Sequence, residues 1–109
     1  MTRQLTALEQ AAVRATADEH WPGFRLDGLS VTRRENTGAG RFVYLEDAYG
    51  QSLSDGSYGA QGRIIEMEGI RHGLGFLVDV RDSRISHIEI FTYGNENWDG
   101  IERAWKVSP

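Results

Sequence analysis

The stretch Leu74-Gly75-Phe76-Leu77-Val78-Asp79-Val80-Arg81-Asp82-Ser83-Arg84-Ile85-Ser86-His87-Ile88-Glu89-Ile90-Phe91-Thr92-Tyr93 decides the fold. Leu74, Phe76, Val78 and Val80 alternate with Gly75, Leu77, Asp79 and Arg81, Asp82-Ser83 marks a turn, and residues 84–93 run back as a second strand. Successive side chains of a strand point to opposite faces, so this pattern is a β-hairpin with one apolar face. Burial sets the expected register. A two-residue loop sets Phe76 against Glu89 and Val78 against His87, whereas a three-residue loop of Arg81, Asp82 and Ser83 sets Phe76 against Ile88 and Leu74 against Ile90. The second gives the cleaner face and is the expected one. It puts Ser83 near the left-handed conformation, at a cost of about 1 kcal/mol where glycine is preferred.

Working outward, Thr6-Ala7-Leu8-Glu9 is a capping box that starts a helix, since the Thr6 hydroxyl can take the Glu9 amide while the Glu9 carboxylate returns to the Thr6 amide. Leu8, Ala11, Ala12 and Ala15 recur at three- and four-residue spacing, a stripe of small residues able to sit close to a sheet. The helix is expected to end near His20, where Trp21-Pro22-Gly23 forbids its continuation. Residues 29–35 and 41–46 read as two strands around an Asn36-Thr37-Gly38-Ala39-Gly40 turn, and residues 63–68 as a third. Residues 47–62 are dense in Gly, Ser, Asp and Gln and form a long connection, functional or mobile, that has room for a short strand. Residues 101–107 alternate as a last strand, in competition with a short helix capped by Asp99 or Glu102. The expectation is a single α+β domain over residues 1–109, an N-terminal helix packed on an antiparallel sheet of about five to six strands.

The 109-residue chain is long enough to bury roughly two-thirds of its unfolded surface around one core. It has no cysteine, which excludes disulfides, thiolate nucleophiles and Cys-ligated zinc and agrees with a reducing, cytoplasmic setting. Residues 1–10 carry no secretory pattern and no long apolar run occurs, so neither export by that route nor membrane insertion is expected. A net charge of -4 with mixed signs argues against a phosphate-neutralising nucleic-acid binder and mildly favours a basic partner.

In the expected register the face opposite the core carries Leu77, Asp79, Ile85, His87, Glu89, Phe91 and Tyr93. His87 and Glu89 stand two apart on one strand and point the same way, as a general acid or a metal ligand pair would need, or as plain cross-strand partners would. His72 and Asp79 are the only nearby third ligands by sequence, and no cofactor or metal motif is present. Gly38-Ala39-Gly40 lies between strands and reads as a turn, while Arg33, Arg34 and Arg41 around it either grip a carboxylate or phosphate or protect a solvated edge. In Tyr93-Gly94-Asn95-Glu96-Asn97-Trp98 the aromatics are either anchors for a protein partner or, for Trp98 and Trp105, closures of the core.

The segment Gly73-Leu74-Gly75-Phe76 through Thr92-Tyr93-Gly94-Asn95-Glu96-Asn97-Trp98 resembles a family of small uncharacterised bacterial proteins with a glycine-flanked strand, a D-G-R turn, an L-E pair and a Y-T-Y-G segment ending in tryptophan. Arg34-Glu35-Asn36-Thr37-Gly38-Ala39-Gly40 is similar to that family's first turn, and Ser83 departs from it where the turn would carry glycine. The resemblance implies the fold and a bacterial source, and no activity.

Two functional readings follow. The first is a non-enzymatic protein-binding domain, of the immunity type that caps a toxin, with Asp79, His87, Glu89, Phe91, Tyr93 and Trp98 as binding residues. The second is a small-ligand or metal-binding domain, enzymatic in one version, with His87 and Glu89 at the site and residues 47–62 as a lid. A homodimer pairing the mixed sheet faces is a third arrangement.

Overall fold

A computed structural model describes residues 3–109. Helix α1 spans Ala7–His20, and both halves of the capping box form: the Glu9 amide donates to Thr6 Oγ1 at 3.2 Å and the Thr6 amide to Glu9 Oε1 at 2.9 Å. Trp21 ends the helix, its amide donating to the Ala17 carbonyl. The buried face is Leu8, Glu9, Ala12, Val13, Ala15, Thr16 and Ala17, so small side chains do set the closeness of helix and sheet.

After a 3₁₀ turn at Leu26–Gly28 come strands β1 (Leu29–Asn36), β2 (Gly40–Asp47), β3 (Gly56–Tyr58), β4 (Ile65–Met67), β5 (Ile70–Arg81), β6 (Arg84–Thr92) and β7 (Trp105–Val107). All pairings are antiparallel, in the order β1-β2-β6-β5-β4-β7, with β3 also on β5. The long β5 therefore holds β6 on one side and β3 and β4 in succession on the other. The α+β expectation holds, with seven strands rather than five or six. The additional one is β3, inside the long connection, and the last strand is confined to Trp105–Val107.

The hairpin register differs from the expected one. Asp82 and Ser83 both have positive φ, 53° and 63°, and form a two-residue turn closed by Arg81 opposite Arg84. Two left-handed residues match the twist of the flanking strands, and the missing glycine is offset by bracing: the Ser83 amide donates to Asp55 Oδ1 at 2.9 Å and the Leu53 amide to the Ser83 carbonyl at 3.3 Å. A bulge at Ser86 then shifts the pairing from Val80↔Ile85 to Asp79↔His87, giving Val78↔Ile88, Phe76↔Ile90 and Leu74↔Thr92. The bulge, and not a longer loop, makes the clean apolar face. It also turns Ile85 to the core, where it is 2 % exposed, correcting its expected place on the other face.

One core lies between α1 and the sheet, built from Leu8, Val13, Val43, Ile65, Leu74, Val78, Ile88, Ile90 and Trp98 among others. The molecule measures 37 × 32 × 20 Å, and the shortest dimension is that of one helix layer on one sheet. Gly40 sits where β2 meets β6, and a Cβ there would lie 2.1 Å from the Ile90 carbonyl oxygen. Because the obstacle is backbone, Gly40→Ala is expected to cost about 3 kcal/mol, read as a lower urea midpoint at unchanged m-value.

Glu9 is fully buried and does more than cap. Arg34 meets it in a fork, Nε to Oε2 at 2.8 Å and Nη2 to Oε1 at 2.7 Å, and Arg41 Nη1 adds a contact to Oε2 at 3.0 Å. The same Arg41 nitrogen reaches Glu102 Oε2 at 2.7 Å, its Nη2 donates to the Gly100 carbonyl, and its guanidinium lies 4.9 Å over the Trp98 ring. Two of the arginines around the first turn thus grip a carboxylate, and that carboxylate is internal. Burial alone would raise the Glu9 pKa, but the bonds from Arg34 and the Thr6 amide and the charges of Arg34 and Arg41 outweigh it and hold the group below its ordinary value.

Candidate functional site

No helix or strand among the described residues covers the sheet face turned away from α1. In an antiparallel sheet such a face ordinarily carries polar side chains, but here it carries rings. β2 contributes Phe42 and Tyr44, β6 contributes His87, Glu89 and Phe91, Tyr93 follows β6, and β5 contributes Leu77 and Asp79. Phe42 and Tyr44 lie 6.3 Å apart and nearly parallel, and His87 meets them at 6.0 and 5.9 Å. Phe91 and Tyr93 form a second, edge-on pair at 5.7 Å. This pair folds over Gly75, where a Cβ would meet the Phe91 ring and the Tyr93 hydroxyl at 2.5 and 2.6 Å. The β1 bulge between Val31 and Arg33 brings Arg33 onto the face, with its guanidinium 4.3 Å over the Tyr44 ring.

The Ser86 bulge decides which ionisable groups meet. A two-residue turn without it would set His87 against Val78, whereas His87 stands across from Asp79, Nδ1 to Oδ2 at 3.8 Å. Asp79 also accepts from Ser57 Oγ at 2.6 Å and from Arg81 Nε at 2.8 Å. Burial would raise its pKa, but those two hydrogen bonds and the His87 and Arg81 charges lower it below its ordinary value. Ser57 donates to the carboxylate and not to the imidazole, and Ser86 Oγ lies 3.5 Å from the same His87 nitrogen, Nδ1, that faces Asp79, so in neither case are serine, histidine and aspartate in the order that activates a hydroxyl nucleophile.

Glu89 stands between Phe42 on β2 and Leu77 on β5, its direct cross-strand neighbours. It is half-buried, and its carboxylate has neither a hydrogen bond nor an ion pair to any described residue. His87 and Glu89 do share a face, but the third group near His87 is Asp79, and no three His, Asp or Glu side chains among the described residues are grouped to hold a metal ion. Neither His87 nor Glu89 lines any of five clefts among the described residues, whereas Leu77, Phe91 and Tyr93 line one of them. Residues 47–62 are not a lid over this pair: β3 pairs with β5, Leu53 and Asp55 brace the turn, and the Gln61 amide donates to Glu19 Oε2 at 3.1 Å.

Of the six expected binding residues, Asp79, His87, Glu89, Phe91 and Tyr93 come together on the open face. Trp98 does not. It is 1 % exposed in the core, with Nε1 donating to the Ile101 carbonyl at 2.9 Å. Phe42 and Tyr44 complete the face, and their signal was the alternation of Phe42 and Tyr44 with Val43 and Leu45 in β2.

The fold and the site define a two-layer α+β domain with an open aromatic sheet face. No family model, no curated protein and no solved structure matches the chain. No helix among the described residues is long and apolar enough to cross a membrane.

Proposed function

We propose that the chain is a non-enzymatic bacterial protein-binding domain of the cytoplasm, of the immunity type, that docks its partner on the open sheet face. The observation that carries this reading is two ring groups on the uncovered face, Phe42, Tyr44 and His87 in one and Phe91 and Tyr93 in the other, with Arg33, Asp79 and Arg81 beside the first. Aromatic rings and arginine are the groups that concentrate binding energy at protein interfaces, and a contiguous apolar patch with a polar rim marks such a surface. Phe91 and Tyr93 border a cleft with Leu77 and residues 59–64, whereas Phe42, Tyr44, His87 and Glu89 line none of the five clefts described, which suits a protein partner better than a small ligand. The acidic balance of the chain favours a basic partner, and the resemblance of the β5–β6 segment to small bacterial proteins supports the source.

Site-directed photo-crosslinking tests it. Benzoylphenylalanine at position 44 or 93 is expected to capture one protein in a lysate of the source organism, whereas the same group at position 14, exposed on α1, captures none. No product from the sheet face, equal products from both faces, or capture only of a second copy of the chain would overturn the reading.

A further inference from the structure

We infer that the partner inserts an arginine side chain against Glu89, at the centre of the open face. This rests on the protein-binding reading above and names the chemistry of its central contact. Glu89 belongs to β6, which lies inside the sheet between β2 and β5, so its carboxylate rises from the middle of the face and not from an edge. Phe42 and Leu77 flank it across the strands, and His87 and Phe91 flank it along its own. A carboxylate among apolar neighbours gives up part of its hydration and ordinarily has a cation beside it.

The nearby cations of the chain are engaged elsewhere. His87, beside Glu89 on β6, faces Asp79 at 3.8 Å, Arg33 covers the Tyr44 ring and lies 3.8 Å from Glu35, and Arg81 is held by Asp79 at 2.8 Å. A countercharge for Glu89 would therefore come from outside, and until then water solvates the half-buried carboxylate. A metal ion would need further carboxylate or imidazole ligands grouped with Glu89, and among the described residues there is no such group. A free cationic metabolite would need a cleft to be held tightly, and Glu89 lines none of the five described, so a small arginine probe binds this face only weakly. A guanidinium carried by a protein surface meets both conditions, since its planar fork matches a carboxylate and its faces stack on rings such as Phe42. Lysine, a strongly hydrated point charge, would use the carboxylate but not the rings.

The test uses the intact protein and three probes, the N-acetyl methylamides of arginine, lysine and citrulline, followed by amide chemical shifts. Arginine is expected to shift the amides of Phe42, Leu77, His87, Glu89 and Phe91, with an affinity about fivefold above that of citrulline, its neutral isostere, and above that of lysine. Glu89→Gln, whose spectrum reports whether it is folded, is expected to reduce arginine to the level of citrulline. Equal binding of arginine and citrulline, shifts away from Glu89, or an unchanged response in Glu89→Gln would each overturn the inference. A face-selective crosslink together with a failed arginine response removes this inference and leaves the protein-binding reading standing, while the absence of any crosslink removes the reading itself.

Discussion

Glu9→Ala is expected to destabilise the protein by about 3–5 kcal/mol, the range found when one member of a buried ion pair is removed and its partner stays charged. Arg41 is 6 % exposed and cannot turn to water, so the substitution leaves its guanidinium with Glu102 as its one carboxylate partner, beside the neutral Gly100 carbonyl and Asn36 side chain, while Arg34 loses both arms of its fork. The Thr6 amide loses its acceptor as well. Glu102→Gln, at the more exposed end of the cluster, is expected to cost less. Urea unfolding of the three proteins measures this. The acid limb gives a second readout. Because the folded-state pKa of Glu9 is lowered, its contribution is complete above the unfolded value near 4.5 and is lost as pH falls through the folded value. Asp27, Asp79, Glu96 and Asp99, also lowered, shape the rest of that limb in both proteins. The difference in stability between wild type and Glu9→Ala should therefore shrink below pH 4.5; a difference constant down to the acid limit would mean that the Glu9 charge is not what stabilises.

Trp98→Ala is expected to cost a similar amount, about 3–5 kcal/mol, for a different reason. Truncating a large, fully buried ring removes its transfer free energy and leaves a cavity. It also removes the plane over which Arg41 lies and the donor that holds the Ile101 carbonyl. Trp98→Phe keeps most of the volume but not the indole donor and is expected to recover more than half of the loss. Glu9→Ala and Trp98→Ala both act on Arg41, so the double variant should fall short of the sum of the singles by about 0.5–3 kcal/mol. Strict additivity would show that the two sites do not share Arg41 energetically.

Local signals made the helix legible, since the capping box and Trp21-Pro22-Gly23 act within a few residues of themselves. The hairpin was legible as a pattern but its register was not. Pairing there depends on Asp55, Leu53 and the Ser86 bulge, and the bracing residues lie far from the turn in sequence. The bulge left the alternation argument right about His87, Glu89, Phe91 and Tyr93 and wrong about Ile85. Phe42 and Tyr44 were missed as site residues because a strand's outward face acquires meaning only when its neighbour is known, and β2 pairs with β6 across β3, β4 and β5 in sequence. Trp98 followed burial rather than exposure for the same kind of reason: β2 supplies the Arg41 guanidinium that lies over its ring. Glu9 was read for its cap alone, and only the folded chain brings Arg34 and Arg41 to it from 25 and 32 residues away.

The charge cluster also dictates an order of events. Arg41 waits for Glu102 and the Gly100 carbonyl, which follow it by 61 and 59 residues. During synthesis the helix and first hairpin leave the ribosome early, yet their arginines cannot be neutralised fully until almost the whole sheet has emerged. Contacts of this sequence separation are expected to close after the local ones and to slow folding relative to a domain of the same size built from local contacts. Until then Arg41 lacks its late partners, and the interval in which the chain can mispair is set by residues 100–102.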